Sequence, residues 1–256
     1  MYIDKPLSEN LPATVLQKEA HPDRSKRYSH IDTREVISVL ERSGFKVHGV
    51  TVATRRSKAR DPLFAKHQVT LRHPNMPVVA GITPQIMLVN SHDGSSSAQA
   101  LHGAFRQVCS NGLVVGTVQE AIRVRHAGDA TKELIENVKR TATHSRDLFT
   151  SVDRWSSIEL SKARMHQFAR LAGVLRWGDP HRFDTDTLLS TRRAEDDQGN
   201  LWTVFNRVQE NAVRGGLSGL SASGRHATSR PLSEITANNK FNAQLWQLAQ
   251  EFAAVS

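Results

Sequence analysis

The sequence predicts an α+β fold: a small, mostly antiparallel sheet with a β-α-β core, followed by a helical C-terminal half. Three observations predict it. The runs "FKVHGVTVAT" and "KHQVTLRH" alternate apolar and polar residues with the two-residue period of a strand. The run "PQIMLVN" is apolar at most positions, as in a strand covered on both faces. Beyond residue 119 the apolar residues recur at helical spacing instead. A basic N-terminal arm over 1–31 is expected to precede one domain over 32–256, sheet-rich over 32–118 and helical over 119–256.

Residues 1–31 mix Pro, Lys, His and Ser without periodicity, as in "HPDRSKRYSH". "DTREVISVLERSG" predicts a helix capped by Asp32 or Thr33, with Val36, Ile37 and Leu40 on one face and Gly44 ending it in the left-handed conformation. In the first strand Phe45, Val47 and Gly49 alternate with Lys46, His48 and Val50. In the second, Val69 and Leu71 oppose Gln68, Thr70 and Arg72. "PQIMLVN" takes the centre of the sheet. A helix from about Ser96 to Cys109 then leads to a strand "LVVGT", closing the β-α-β unit. Four helices follow. They cover 131–147, 152–176 (Trp155, Ile158, Met165, Phe168, Ala172 and Leu175 on one stripe), 200–214 (ended by Gly215-Gly216) and "NKFNAQLWQLAQEFAA". The Gly/Ser-rich stretch 215–231 is expected to be a flexible basic loop.

Charge narrows the class of partner. The 256 residues carry 34 Lys and Arg against 25 Asp and Glu, a net +9, and the pI is about 10.1. Arg supplies 24 of the cations, and its planar fork matches phosphate oxygens. A nucleic-acid partner follows, unless the arginines reflect only the codons of a G·C-rich genome. Arg55, Arg56, Lys58 and Arg60 crowd the expected tip between the first two strands. With Arg72, and with Arg225 and Arg230 of the flexible loop, they form a candidate phosphate-gripping set; the bland alternative is a solvated loop. No stretch approaches the roughly 20 apolar residues of a membrane span, and the N-terminus lacks the pattern of a secretory signal. Cys109 is the single cysteine, so no internal disulfide forms, and a cytoplasmic location is expected.

The stretch "NSHDGSSSAQALHGAFRQVCSNG" holds most of the chemistry. One reading is an anion cradle of Asn90, Ser91, His92, Asp93, Gly94, Ser95 and Ser96, with free amides at the start of the expected helix. It lacks the Gly-Lys-Ser/Thr ending of a phosphate-binding loop and any GxGxxG, so nucleotide hydrolysis is unsupported. A metal site would draw on His102 and Cys109 with His92 and Asp93, but paired ligand motifs are missing and Arg106 would repel a cation. A cysteine nucleophile would pair Cys109 with His92 or His102 and an orienting Asn90 or Asn111. The plain alternative is a turn at Asp93-Gly94, a Ser95 or Ser96 cap and a left-handed exit at Asn111-Gly112. No catalytic residue, metal or cofactor is assigned.

"NSHDGS", the pattern Arg106-x-Val108-Cys109-Ser110-Asn111-Gly112-Leu113, "VQENAVRGG" (208–216) and Asn242 to Ala249 together resemble the phage/plasmid-like family of domains of unknown function numbered 932, over 33–255. That resemblance implies a protein of prophages, plasmids or other mobile elements, with no assigned activity and no catalytic residues to carry over. The family is in turn distantly similar to phage single-strand annealing proteins. That similarity implies a small curved sheet beside helices, assembly into rings or filaments, and single-stranded DNA held in a basic groove without a cofactor. Tyrosine occurs only at 2 and 28 and aromatics total 6%, so base stacking would be sparse and phosphate contacts would dominate. The expectation is a non-enzymatic DNA-binding protein preferring single strands, a recombination or annealing factor of a mobile element. One alternative is a protein-interaction module, such as an inhibitor of a host defence system that binds a host protein. Another is a hydrolase or nuclease using His92, Asp93 and His102. For that, Asp184 and Asp186 of "DTD" offer no carboxylate cluster and read as a helix start.

Overall fold

The computed structural model describes residues 10–53, 61–75, 78, 82–106, 112–114, 122–141, 145–220 and 224–255. The chain divides into two units, 1–107 with 119–145 and 108–118 with 146–256. In the first unit Asp32 Oδ1 accepts the Arg34 and Glu35 amides at 2.8 and 3.3 Å and starts helix α1, Thr33–Arg42. Gly44 follows at φ +91°, where a Cβ would run into the His73 ring, so a side chain here would be strained.

Strands β1 (Lys46–Val52), β2 (His67–Arg72), β3 (Ile82–Asn90) and β4 (Ala98–Arg106) form an antiparallel meander, and β6 (Ile122–Val124) pairs with β4. The short strand β5 (Gly112–Val114) belongs to the second unit. On one sheet face Val47, Val69, Leu71, Ile86, Leu88, Ala98, Ala100 and Val124 meet Val36, Ile37 and Leu40 of α1 and Ala130, Leu134 and Val138 of α2, Ala130–Thr141. Each of the Val, Leu and Ile side chains contributes about 1.5–3 kcal/mol through burial. Leu11, Val15 and Ile31 enter the same core. Residues 10–31 are therefore packed although they form no helix or strand.

Three local expectations are corrected. The helix expected over 96–109 is instead strand β4 as far as Arg106, so β3 and β4 form a hairpin, and among the described residues no β-α-β connection follows β3. The small residues of "AQALHGAF" suit a helix locally. However, β3 is central, and its amides and carbonyls need partners on both sides, which β2 and β4 supply. The simple alternation in β1 also fails, because the register shifts between Val47 and Gly49 and leaves His48 as the extra residue. Beyond that bulge Val50 pairs with Val69 and joins the core face.

The third correction lies in the second unit, where α3 (Ser145–Ser157) and α4 (Lys162–Trp177) replace one helix over 152–176. Glu159 forms a bridge with Asn200, and the Leu160 amide donates to the Gly199 carbonyl at 2.9 Å. These cross-chain bonds take the backbone out of the helix, and Ser161 recaps it through the Arg164 amide. Helices α5 (Thr185–Leu189, capped by Asp184), α6 (Leu201–Arg214, capped by Asn200) and α7 (Ile235–Ala254) complete the unit. Trp155, Phe205 and Trp246 form its aromatic centre, with the two indoles 4.3 Å apart. The stretch 215–231 contains a hairpin, β7 (Ser218–Leu220) with β8 (His226–Thr228). Among the described residues no helix is long and apolar enough to cross a membrane.

The "VQENAVRGG" sequence has a structural use. Glu210, 2% exposed, accepts two hydrogen bonds from Arg193 at 2.9 and 3.0 Å and one from Arg214 at 3.1 Å. Losing the carboxylate removes the acceptor that both guanidinium groups share. Both keep some solvent contact, so Glu210→Ala should cost about 3 kcal/mol, near the low end for a buried pair. All four tryptophans (155, 177, 202, 246) lie in this unit, so urea denaturation followed by tryptophan fluorescence reads the loss directly.

Candidate functional site: a buried histidine cluster and a cationic sheet face

The polar end of β3 sits inside the first unit rather than on its surface. Asn90 is 2% exposed, and its amide donates to the Ile31 carbonyl at 3.0 Å and the Thr33 hydroxyl at 2.9 Å. Its carbonyl accepts the Ser91 amide at 2.8 Å. Thr33 Oγ1 lies 2.9 Å from His67 Nε2, and His67 Nδ1 lies 3.0 Å from the Ala65 carbonyl. The Ala65 carbonyl can only accept, so His67 carries its proton on Nδ1 and its Nε2 accepts from the Thr33 hydroxyl.

The residues after Asn90 continue this lock. Ser91 Oγ donates to the Ser96 carbonyl and accepts the Ser96 amide, at 3.1 and 3.0 Å. Asp93 accepts the Ser95 amide at 2.9 Å. Gly94 turns at φ +70°, with the Arg24 side chain 2.9 Å from where a Cβ would stand. The Tyr28 hydroxyl donates to the Ser91 carbonyl at 2.9 Å, and the His92 backbone bonds both Phe64 and His21. The helix N-terminus expected behind the anion-cradle reading is therefore corrected. No helix starts here, and the Ser95 and Ser96 amides are already committed within the turn.

Behind the turn four imidazoles gather from four segments. His92, fully buried, meets His30 edge to face at 4.6 Å between centroids and His67 at 5.2 Å, while Tyr28 stacks on His126 at 4.6 Å. Neither ring nitrogen of His30 or His92, nor Nε2 of His126, makes a well-formed hydrogen bond; the Thr14 carbonyl lies near His92 and favours its proton only weakly. Burial foremost, then the charges of His67 and His30, push His92 down to about 3. Burial pushes His67 down to about 4 and lowers His30 and His126 as well. Tyr28 is pushed up to about 12 by burial and then by Asp93. All four rings are neutral at pH 7. Among the described residues no group of three or more His, Cys, Asp and Glu is placed to hold a metal ion.

The second sheet face carries charge where the first carries core. Lys46 and Arg72 are direct cross-strand partners, Lys46 exposed and Arg72 half-buried. Arg72 Nε donates to Gln85 at 3.4 Å. Partial burial, and then the charge of Arg72, lower the pKa of the bulged His48 beside them. Thr51, Gln68 and Thr70 continue this face as polar side chains. Arg55, Arg56, Lys58 and Arg60 fall in the connection between β1 and β2 but lie outside the described residues. So do Cys109 and Asn111, while Arg106 ends β4 and Gly112 begins β5. Arg225 and Arg230 are exposed beside β8, in the other unit.

Sequence reasoning found Asn90, Ser91 and His92 but missed Thr14, Tyr28, Thr33, His30, His67 and His126, which only the fold brings together. The one available signal was a polar Asn ending an apolar central strand. If the lock holds the unit together, Asn90→Ala should cost about 2–3 kcal/mol by stranding buried partners. Ser95→Ala, at an exposed position, should stay within about 0.5 kcal/mol. Calorimetric melting of the two variants distinguishes them.

Comparison with known proteins agrees with the motifs. The model of a family described as "Domain of unknown function (DUF932)" matches residues 20–246, which takes in Tyr28 and His30 as well as the β3–β4 turn. Two proteins of Escherichia coli K12, UPF0380 protein YfjQ and UPF0380 protein YafZ, are each 34% identical over 255 residues, covering 96% of this chain and 92% of theirs. No solved structure matches the chain. With most of its length spanned by that family model, and relatives aligned almost end to end, the chain belongs to the DUF932 family.

Proposed function

We propose that this protein binds nucleic acid, preferring single strands, through the polar face of β1 and β2. The observation that carries the reading is the Lys46–Arg72 pair. Like charges placed directly opposite across two strands destabilise a sheet, and a bound phosphate relieves that repulsion. The charge distribution supports it. The sheet unit has 20 Lys and Arg against 13 Asp and Glu, whereas the helical unit has 14 against 12. Seven of the nine excess positive charges therefore belong to the unit with this face.

Seven residues of β1 extend about 20 Å, long enough to follow several nucleotides. Phosphate contacts without stacking aromatics give weak sequence preference and steep salt dependence. A recombination or annealing role on a mobile element extends the same proposal, and no cofactor enters it.

Fluorescence anisotropy with labelled single- and double-stranded oligonucleotides across a salt series, without divalent metal, tests it. The expected result is tighter binding to single strands, with Lys46→Glu/Arg72→Glu weakening all sequences alike and lowering the salt slope by about two units. Absence of binding at low salt would overturn the proposal and turn attention to an acidic host protein as the partner of this face.

A further inference from the structure

Four histidines converge where the N-terminal segment meets the sheet. His30 ends that segment, His67 starts β2, His92 lies in the β3–β4 turn and His126 follows β6. Bonds that hold the segment there include the Tyr28 hydroxyl to the Ser91 carbonyl, the His21 amide to the His92 carbonyl, the Ser29 amide to the His126 carbonyl, Thr14 to the Ala65 carbonyl, and the Asn90 amide to the Ile31 carbonyl. Each of these lies within two residues of a histidine of the cluster.

We propose that the cluster is an acid-released latch, which holds residues 10–31 on the sheet while its imidazoles are neutral and frees them when one is protonated. The geometry supplies the reason. A proton on His92 would place a charge, fully buried, against the rings of His30 and His67. None of the four rings forms an ion pair with a described carboxylate; the described histidine ion pairs are those of His21 with Asp23 and of His166 with Asp186. The charged groups nearest the cluster are Asp32 and Glu19, which act on His30, and Asp93 and Arg24, which act on Tyr28. Asp32 is committed to capping α1 and Asp93 to the Ser95 amide. The Thr14, Ser29, Ala65 and Ser96 carbonyls also face the rings and offer a proton only dipoles.

The sign follows from linkage. The docked histidines titrate below free histidine, so the released state binds more protons than the docked one. Docking is therefore at full strength above about pH 6.5 and weakens as pH falls toward about 4.

Hydrogen exchange of the full chain, read by peptide mass spectrometry and normalised for the intrinsic pH dependence, tests the latch. Between about pH 6.5 and 4.5, peptides from 10–31 and 91–97 should lose protection by more than about tenfold while α6 and α7 keep theirs. Tryptophan fluorescence, confined to the helical unit, should not change over that range. His92→Gln, which cannot be protonated, should move the midpoint down by about half a pH unit, and His30→Asn should do the same should the first variant not fold. Unchanged protection of 10–31, loss in step with α6 and α7, or an unmoved midpoint in the folded variants would each overturn the proposal.

Discussion

A polar residue buried at the end of a central strand must find partners inside the protein, and for Asn90 the start of α1, the Ile31 carbonyl just before it and the neighbouring Ser91 amide supply them. Its amide reaches the Ile31 carbonyl and the Thr33 hydroxyl, and Thr33 passes the bond to His67. Three structural origins are fixed by one chain of hydrogen bonds: the first residue of α1, the first of β2 and the last of β3. Leaving any member unpaired costs the full desolvation of a buried group, so the three elements are coupled. Residues 10–31 pack over this knot and contribute Leu11, Val15 and Ile31 to the core without forming an element of their own.

This arrangement separates the two parts of the sequence that suggest function. The Asn-Ser-His-Asp-Gly-Ser stretch has every feature of a ligand loop when read as letters. In the fold its amides, hydroxyls and carboxylate bond one another and the N-terminal segment. The cations belong to the other side of the sheet, where Lys46 and Arg72 face each other beside His48. Conformational specificity thus comes from neutral polar groups in the interior, and the proposed phosphate contacts come from charges that keep some access to water.

The α+β class, the central place of β3, the capped start of α1 and the helices at 201–214 and 235–254 were legible because each rests on local periodicity and caps. What was not legible depended on partners distant in the chain. Ala98 to Arg106 is a strand because β3 needs a second neighbour, a demand that no residue in that stretch announces. Val50 joins the core because a bulge at His48 inverts the parity of β1, which alternation alone would not show. The break at 158–161 arises from bridging with 199–201, about forty residues away. The histidine cluster was hidden for the same reason, since its four rings come from positions 30, 67, 92 and 126 and have no common spacing.

The turn after β3 closes a neutral hydrogen-bonded knot of Asn90, Thr33 and His67. The tautomer of His67 tests it most directly, because free histidine in water favours the proton on the other nitrogen. Side-chain ¹⁵N–¹H correlation spectra at neutral pH should show His67 neutral with its proton on Nδ1, as the Thr33 hydroxyl and the Ala65 carbonyl require. A proton on Nε2, or a charged ring, would contradict the knot and return the turn to the list of candidate binding sites.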